Sequence, residues 1–164
     1  MSPDQAHSLR SSQRASKARR FCESSHVRIQ SHNCRGLNED TLQQELQCMR
    51  KHNIFAYCLQ ETWVSGSEDL RCLGSVILQH GLSQPVCARG SQGVAIVLSP
   101  EAEEARQRAG GLKFTFGPRI VATRLTLLDA NKKEVKIFLV SSYAPNFKTN
   151  LTSDAELQQY YQQL

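Results

Sequence analysis

Three polar side chains stand where predicted β-strands end, and they are the side chains of this sequence best placed to do chemistry. Glu61 comes just after the largely apolar run 54–59, Asn33 ends an earlier short strand, and Tyr143 ends a later one. A carboxylate directly after a buried strand is costly to desolvate unless a cation, a hydrogen-bond donor or a metal ion compensates. The pattern therefore indicates a polar site at these strand ends, with Glu61 as its charged member.

The elements around the first turn place two of these side chains at one edge of a sheet. An alternating segment 27–33 precedes a helical pattern over 40–52, and the apolar run 54–59 follows. A strand–helix–strand unit of this length predicts a right-handed parallel crossover, so both strands end at the same edge. An amide oxygen from Asn33 and a carboxylate from Glu61 would suit Mg²⁺, which takes few protein oxygens and keeps water and substrate phosphate as further ligands. Two simpler interpretations stay open, because Asn33 can brace the following turn and Glu61 can pair with a surface arginine.

The rest of the chain predicts two hairpins and two further helices. The hairpins pair 86–89 with 94–98 and 120–128 with 135–143, each around a turn rich in glycine, asparagine or aspartate. The helices begin after serines suited to capping, one at Pro100 and one near the end of the chain at Asp154. For the stretch 64–83 the pattern is ambiguous, and a short amphipathic helix through Leu70, Leu73, Val76 and Ile77 is one interpretation.

Composition limits the classes of protein that this chain can be. The 164 residues have a mean hydropathy of −0.44 and no apolar run near 18 residues, which excludes a membrane span and predicts one globular domain. Residues 1–27 carry five basic and two acidic side chains and few large apolar ones, so we expect a disordered basic tail before a domain at 28–164. None of the six cysteines forms a CxxC motif, which argues against zinc. Without a secretory signal we expect an intracellular protein, nuclear rather than cytoplasmic, with the mitochondrion left open.

Four short motifs follow one another in a recognisable order. They are Ile-Gln-Ser-His-Asn-Cys-Arg-Gly-Leu at 29–37, Cys-Leu-Gln-Glu-Thr-Trp at 58–63, Ser-Gln-Gly-Val-Ala-Ile at 91–96 and Tyr-Ala-Pro-Asn at 143–146. This order and spacing resemble the endonuclease/exonuclease/phosphatase superfamily. The combination is similar to the branch that holds apurinic/apyrimidinic endonucleases and the endonuclease domains of non-LTR (LINE-like) retrotransposons. The Asn-Cys-Arg-Gly-Leu and Tyr-x-Pro-Asn forms favour the retrotransposon side, and the resemblance covers about residues 27–164.

The resemblance implies a fold, a cofactor and roles for named residues. The fold is α+β, a four-layer α/β/β/α sandwich of which this chain would supply the N-terminal half to two-thirds. Glu61 corresponds to the metal-binding glutamate, and Asn33 to an asparagine that serves both the metal and catalysis. Tyr143 corresponds to the catalytic tyrosine beside the scissile phosphate, and Asn146 to an asparagine near the substrate backbone. Arg35 stands where the repair enzymes commonly have an aspartate; an arginine there could bind substrate through DNA phosphate, or the position could simply tolerate it. The implied cofactor is Mg²⁺, with Mn²⁺ as a substitute, and the implied partner is DNA, with no membrane and no other cofactor.

The resemblance also implies parts of a site that residues 147–164 do not contain. The superfamily completes its site with an Asp-x-Asn motif and an Asp-His pair, which position and activate the attacking water. The implied function is therefore metal-dependent hydrolysis of DNA phosphodiesters by a retrotransposon-derived endonuclease, impaired by the missing part. One alternative is a non-catalytic remnant or interaction module. Another is a phosphatase acting on a phosphorylated lipid or sugar, against which the 143–146 motif weighs. The missing strands would leave sheet edges unpaired, so we expect the isolated chain to self-associate.

Overall fold

The computed structural model describes residues 26–82, 92–145 and 154–164, and these form an α+β structure. The fold class predicted from the sequence is therefore confirmed. The strands are β1 Ile29–Asn33, β2 Ala56–Gln60, β3 Asp69–Cys72, β4 Ser75–His80, β5 Val94–Leu98, β6 Lys113–Phe116, β7 Ile120–Leu128 and β8 Glu134–Ser142. The helices are α1 Glu39–His52, α2 Pro100–Arg108 and α3 Asp154–Gln163, and a 3₁₀ turn spans Gly117–Arg119.

The first two strands form the parallel pair that the sequence predicts. They lie at one side of a five-stranded sheet with the order β1-β2-β5-β4-β3, and α1 makes the crossover between them. The register places Asn33, the last residue of β1, opposite Gln60, the last residue of β2. Both strands therefore end at one edge, with Glu61 the next residue along the chain.

The second sheet packs face to face against the first. It is antiparallel, with the order β6-β7-β8. The core between the two sheets contains alternate residues of β2, β4 and β5, the inner faces of β7 and β8, and two alanines of α2. The buried members of this core from the second sheet are Val121, Leu125 and Leu139. The other face of the five-stranded sheet is covered by α1 through Leu46 and Met49. The five-stranded sheet is thus buried on both faces, which explains why its central strands read as unbroken apolar runs.

The short amphipathic helix that is one interpretation of 64–83 is wrong. This stretch contains the hairpin β3–β4, which turns at Leu73 and Gly74 with φ angles of +52° and +82°. Two successive positive φ angles are the geometry of a two-residue hairpin turn. Val76 and Ile77 are buried on opposite faces of the sheet, so their spacing carries no helical period.

Most other predicted elements agree with the structure where it describes them. The hairpin β7–β8 and the helices α2 and α3 lie where the sequence predicts them, while β6 has no counterpart in the prediction. The predicted pairing of 94–98 with 86–89 is wrong, because β5 pairs along its length with β2 on one side and with β4 on the other. Residues 86–89 themselves lie outside the described ranges. Of the predicted tail 1–27, residues 1–25 lie outside the described ranges.

One side of the sandwich ends in two strands that each have a single neighbour among the described residues. These are β1 in the five-stranded sheet and β8 in the three-stranded sheet. They lie on the same side, since Gln60 and Leu59 of β2 contact Ser141 of β8. Large apolar side chains are exposed on β8, where Phe138 is 53% and Val135 44% accessible. This pair of edges is called the open side below.

None of the helices that the structure describes combines the length and the apolar character needed to cross a membrane.

Candidate active site

The three polar side chains at the strand ends come together in the structure. The amide Nδ2 of Asn33 donates to Oε1 of Glu61 at 2.8 Å. Tyr143, which follows β8, lies close enough to Glu61 for that carboxylate to raise the pKa of its hydroxyl. Residues separated by up to 110 positions along the chain thus come together, with the carboxylate next to an amide and a phenol.

Backbone hydrogen bonds hold the two turns of the site side by side. Three backbone N–H groups of the turn after β1 donate to three successive carbonyls, the first at the last residue of β2 and the other two just beyond it. The pairs are Cys34 to Gln60 at 3.0 Å, Gly36 to Glu61 at 2.7 Å and Leu37 to Thr62 at 2.8 Å. The parallel association of the strands therefore continues past their ends. Glu61 is held by its own backbone as well as by its side chain.

Gly36 allows Trp63 to lie against this turn. Gly36 has a φ of +110°, and a Cβ at this position would come 2.7 Å from Cε3 of Trp63. Both the backbone conformation and the close approach of the indole exclude a side chain without rearrangement. The packing of Trp63 against this turn thus explains the glycine of the motif at 29–37.

The backbone of Glu61 itself departs from the strand. In β2, Tyr57 and Leu59 face α1, and simple alternation would direct Glu61 to that same face. Glu61 instead has a φ of +52°, a left-handed conformation that is uncommon for residues other than glycine. This change of direction is what lets its carboxylate meet Asn33 and Tyr143. Non-glycine residues held at such angles concentrate at functional sites.

The electrostatics of the site keep Tyr143 protonated. Partial burial raises the pKa of the Tyr143 hydroxyl above its usual value, and so does the neighbouring Glu61, while Arg119 acts in the opposite direction. The net direction is upward, so Tyr143 is a hydrogen-bond donor at neutral pH. Arg119 lies over the ring, with Cζ 5.5 Å from the ring centroid.

Two predicted substrate-contacting residues have different outcomes. Arg35 is exposed in the turn after β1, and its backbone N–H donates to Oδ1 of Asn33 at 3.2 Å. It is thus next to the site, and its contact with substrate stays a prediction. Asn146 lies outside the described residues.

Two residues join the site without having been singled out from the sequence. Gln60 links the sheets, since its Nε2 donates to Oγ of Ser31 at 3.1 Å and approaches Oγ of Ser141 at 3.5 Å. Arg119 stands opposite Tyr143 where the pairing of β7 with β8 ends. The observed register places Arg119 opposite Tyr143 because it pairs Ile120 with Ser142. The predicted bounds align 120 with 143, one residue away, so the sequence does not single out Arg119.

The side chains at this edge offer about the smallest number of oxygen ligands with which a protein holds Mg²⁺. In the described ranges no three or more His, Cys, Asp or Glu side chains cluster so as to hold a metal. Mg²⁺ binds through as few as one or two carboxylates when water and substrate phosphate complete its shell. Glu61 accepts from Asn33, lies beside Tyr143 and keeps acceptor capacity for a cation, because an ionised carboxylate has about four such positions. Asn33 turns its nitrogen toward Glu61, so in this geometry it orients the carboxylate, and a direct role at a metal stays a prediction.

Comparison with known proteins finds likenesses among solved structures, where four chains match. No family model and no curated protein matches the sequence. The crystal structure of the Xenopus laevis APE2 catalytic domain is similar to this chain, with a TM-score of 0.45 and 17% sequence identity. The match covers 82% of this chain and 48% of that one, so this chain spans about half the length of that domain.

Proposed function

We propose that this chain carries the metal-dependent part of a phosphodiesterase site that acts on DNA. Glu61 would hold Mg²⁺ or Mn²⁺, with Asn33 orienting it, and Tyr143 would direct its hydroxyl toward a phosphate oxygen. The observation that carries the proposal is the convergence of Asn33, Glu61 and Tyr143 from the ends of three separate strands. The motifs around these residues support the same function through their resemblance to the endonuclease/exonuclease/phosphatase superfamily.

Each of the three residues has a distinct task in this proposal. When bound, the metal ion would act as a Lewis acid that polarises the scissile phosphate. Glu61 supplies the negative charge that attracts the cation. Asn33 donates to Oε1 of Glu61 and so restricts the carboxylate to one orientation. Tyr143 stays protonated because burial and Glu61 raise its pKa. Its single O–H would turn from Glu61 to the developing negative charge on phosphate when substrate is bound.

The proposal predicts metal-dependent nicking of DNA by the 164-residue chain. Supercoiled plasmid should convert to nicked circles in Mg²⁺ or Mn²⁺, and EDTA should stop the conversion because the cation is removed. Gel electrophoresis over a time course measures the rate. Nicking that persists in EDTA, or no nicking above the EDTA background, would contradict the proposal.

A second candidate function is a non-catalytic interaction module, which the small number of potential metal ligands at the site supports. The described residues contain no cluster of three or more His, Cys, Asp or Glu side chains that could hold a metal. This observation favours such a module. The plasmid assay separates the two functions, since such a module would leave plasmid supercoiled in every metal.

The finer parts of the proposal concern origin and setting. The Asn-Cys-Arg-Gly-Leu and Tyr-x-Pro-Asn forms support descent from a LINE-like retrotransposon endonuclease. We further propose the division into a basic tail at 1–27 and a partial endonuclease domain at 28–164. The basic residues of the tail support a nuclear location, where DNA is the partner.

We expect the chain to self-associate through the open side. The strand β8 is nine residues long, has one neighbour among the described strands and exposes Phe138, so a second strand can add to it. Light scattering after gel filtration should show a mass above 18.4 kDa, and Phe138→Lys should shift the mass toward the monomer because lysine protects an edge. Phe116→Lys is the matched control, since this phenylalanine is 41% exposed on the four-residue strand β6. A wild-type monomer, or equal effects of the two variants, would contradict a role for β8.

A further inference from the structure

Arg119 has a defined position against one member of the candidate site. Its guanidinium Cζ lies 5.5 Å from the centroid of the Tyr143 ring, within the distance of a cation–π contact. The backbone N–H of Tyr143 donates to the carbonyl of Arg119 at 3.0 Å, directly beyond the last pair of the β7–β8 ladder. The two residues are therefore cross-strand neighbours joined through backbone and side chain.

Tyr143 is held at two ends by different partners. Its hydroxyl lies beside Glu61, which raises the pKa of that hydroxyl, and its ring face contacts Arg119. A tyrosine that leaves the end of a strand can rotate about two side-chain bonds, and a hydrogen bond at the hydroxyl alone does not fix the plane of the ring. A guanidinium held over the ring face restricts that freedom.

We propose that Arg119 is a positioning residue that fixes the ring of Tyr143 so that its hydroxyl stays beside Glu61 and faces the site. In catalysis this inference rests on the proposed function, whereas the structural effect on Tyr143 does not. Loss of the cation–π contact should let the hydroxyl sample positions away from Glu61. Positioning groups behind a reacting residue typically contribute 10- to 100-fold, so Arg119→Leu should lower kcat for nicking about 10-fold with KM little changed.

The chain contains a matched control for this contact. Arg124 lies over the ring of Phe114 with Cζ 5.3 Å from the centroid, in the same three-stranded sheet. Alternation along β7 puts Arg124 on the face away from the core residues Val121 and Leu125. Arg124→Leu removes an equivalent arginine–aromatic contact that touches no residue of the site, so it should leave nicking and Tyr143 unchanged.

The decisive measurement is an NMR signature of Tyr143 that needs no catalysis. The chain has four tyrosines, so labelling tyrosine with ¹³C at Cζ gives few resonances, and Tyr143→Phe identifies the one of interest. The Cζ shift responds to hydrogen bonding of the hydroxyl. We expect this resonance to move or broaden in Arg119→Leu and to stay in place in Arg124→Leu.

The outcomes separate this inference from the proposed function. An unmoved Tyr143 resonance in Arg119→Leu overturns the positioning role whether or not the wild type nicks DNA. A wild type without nicking but with the expected shift refutes the proposed function and leaves the positioning role standing. If Arg119 instead contacted phosphate, Arg119→Leu would raise KM with kcat retained, and Arg119→Lys would restore wild-type kinetics because it keeps the charge. Either of those kinetic results also overturns the positioning role.

Discussion

Glu61→Gln should abolish metal-dependent nicking while leaving the fold in place. Glutamine has nearly the same shape as glutamate but lacks the charge that attracts a divalent cation. Removing one group that acts at the reacting phosphate costs about 10²- to 10⁴-fold in rate, and each tenfold loss equals about 1.4 kcal/mol of transition-state stabilisation. The expected result is nicking at least about 100-fold slower than wild type at saturating Mg²⁺, measured on supercoiled plasmid.

The hydrogen bonds of Glu61 set the expected cost in stability. Asn33 donates to the carboxylate and Tyr143 lies beside it, whereas a glutamine offers one acceptor oxygen and places an NH₂ group where the other carboxylate oxygen was. Losing one such bond costs about 1 kcal/mol, which urea unfolding would detect as a small shift of the midpoint. Far-UV circular dichroism should match wild type. A large loss of stability would show that the carboxylate serves the fold, and the loss of nicking could then not be assigned to chemistry.

Glu68→Gln is the control for the change of charge. Glu68 is an exposed glutamate before β3, in the turn beyond the site. Glu68→Gln is the same chemical substitution as Glu61→Gln and changes the net charge equally, so any general effect of charge on DNA binding should be equal in the two variants. We expect Glu68→Gln to nick at the wild-type rate. A Glu61→Gln variant that also retains that rate would refute the assignment of Glu61.

The meeting of Asn33 with Glu61 could be predicted from the sequence because it depends on topology. A strand, a helix and a second strand of these lengths leave few connections, and the parallel pair β1–β2 brings both strand ends to one edge. The way in which Glu61 reaches Asn33 could not be predicted. Alternation from Leu59 would direct Glu61 toward α1, and the left-handed φ of +52° reverses that direction. A backbone angle of this kind is stabilised by the hydrogen bonds between two turns, which no local pattern reveals.

The error at β3–β4 has a different physical reason. The segment around Val76 and Ile77 is apolar on successive positions because the five-stranded sheet is covered on both faces. A strand buried on both faces loses its period of two, and a short run then fits a helix equally well. The second half of β8 alternates, with Leu139 and Ser141 buried and Phe138 and Val140 exposed, since one face of this strand meets the core.

Arg106→Met should be the most destabilising change outside the apolar core. Arg106 and Glu103 of α2 form a buried pair, 5% and 8% exposed, with Arg106 Nε 2.6 Å from Oε2 and Nη2 3.0 Å from Oε1 of Glu103. Arg106 also donates through Nη1 to the carbonyl of Gly111, which closes the loop after the helix. Methionine fills similar space but leaves Glu103 without its main partner. Breaking one side of a buried pair costs about 3 to 5 kcal/mol, and we expect about 3 because Gln107 still donates to Oε1 at 2.6 Å.

A second arginine on the same carboxylate provides the control. Arg71 Nη2 lies 3.5 Å from Oε1 of Glu103, but the Arg71 side chain is 72% exposed. Exposed partners contribute about 0 to 1 kcal/mol, so Arg71→Met should change the free energy of unfolding in urea by less than 1 kcal/mol. Equal losses in Arg71→Met and Arg106→Met would show that burial of the pair does not govern its contribution.

The pH dependence gives this pair an independent test. Burial alone would raise the pKa of Glu103, but hydrogen bonds from Arg106 and Gln107 and the charge of Arg106 bring it below its usual value. The ionised carboxylate is therefore favoured in the folded chain, so its stabilisation is complete above the pKa of an unfolded glutamate, about 4.3, and is lost as pH falls through the lower folded value. In Arg106→Met the main cause of that lowering is gone. The difference in unfolding free energy between wild type and Arg106→Met should thus be constant near neutral pH and shrink below about pH 4, and a difference that grows on acidification would refute the pairing.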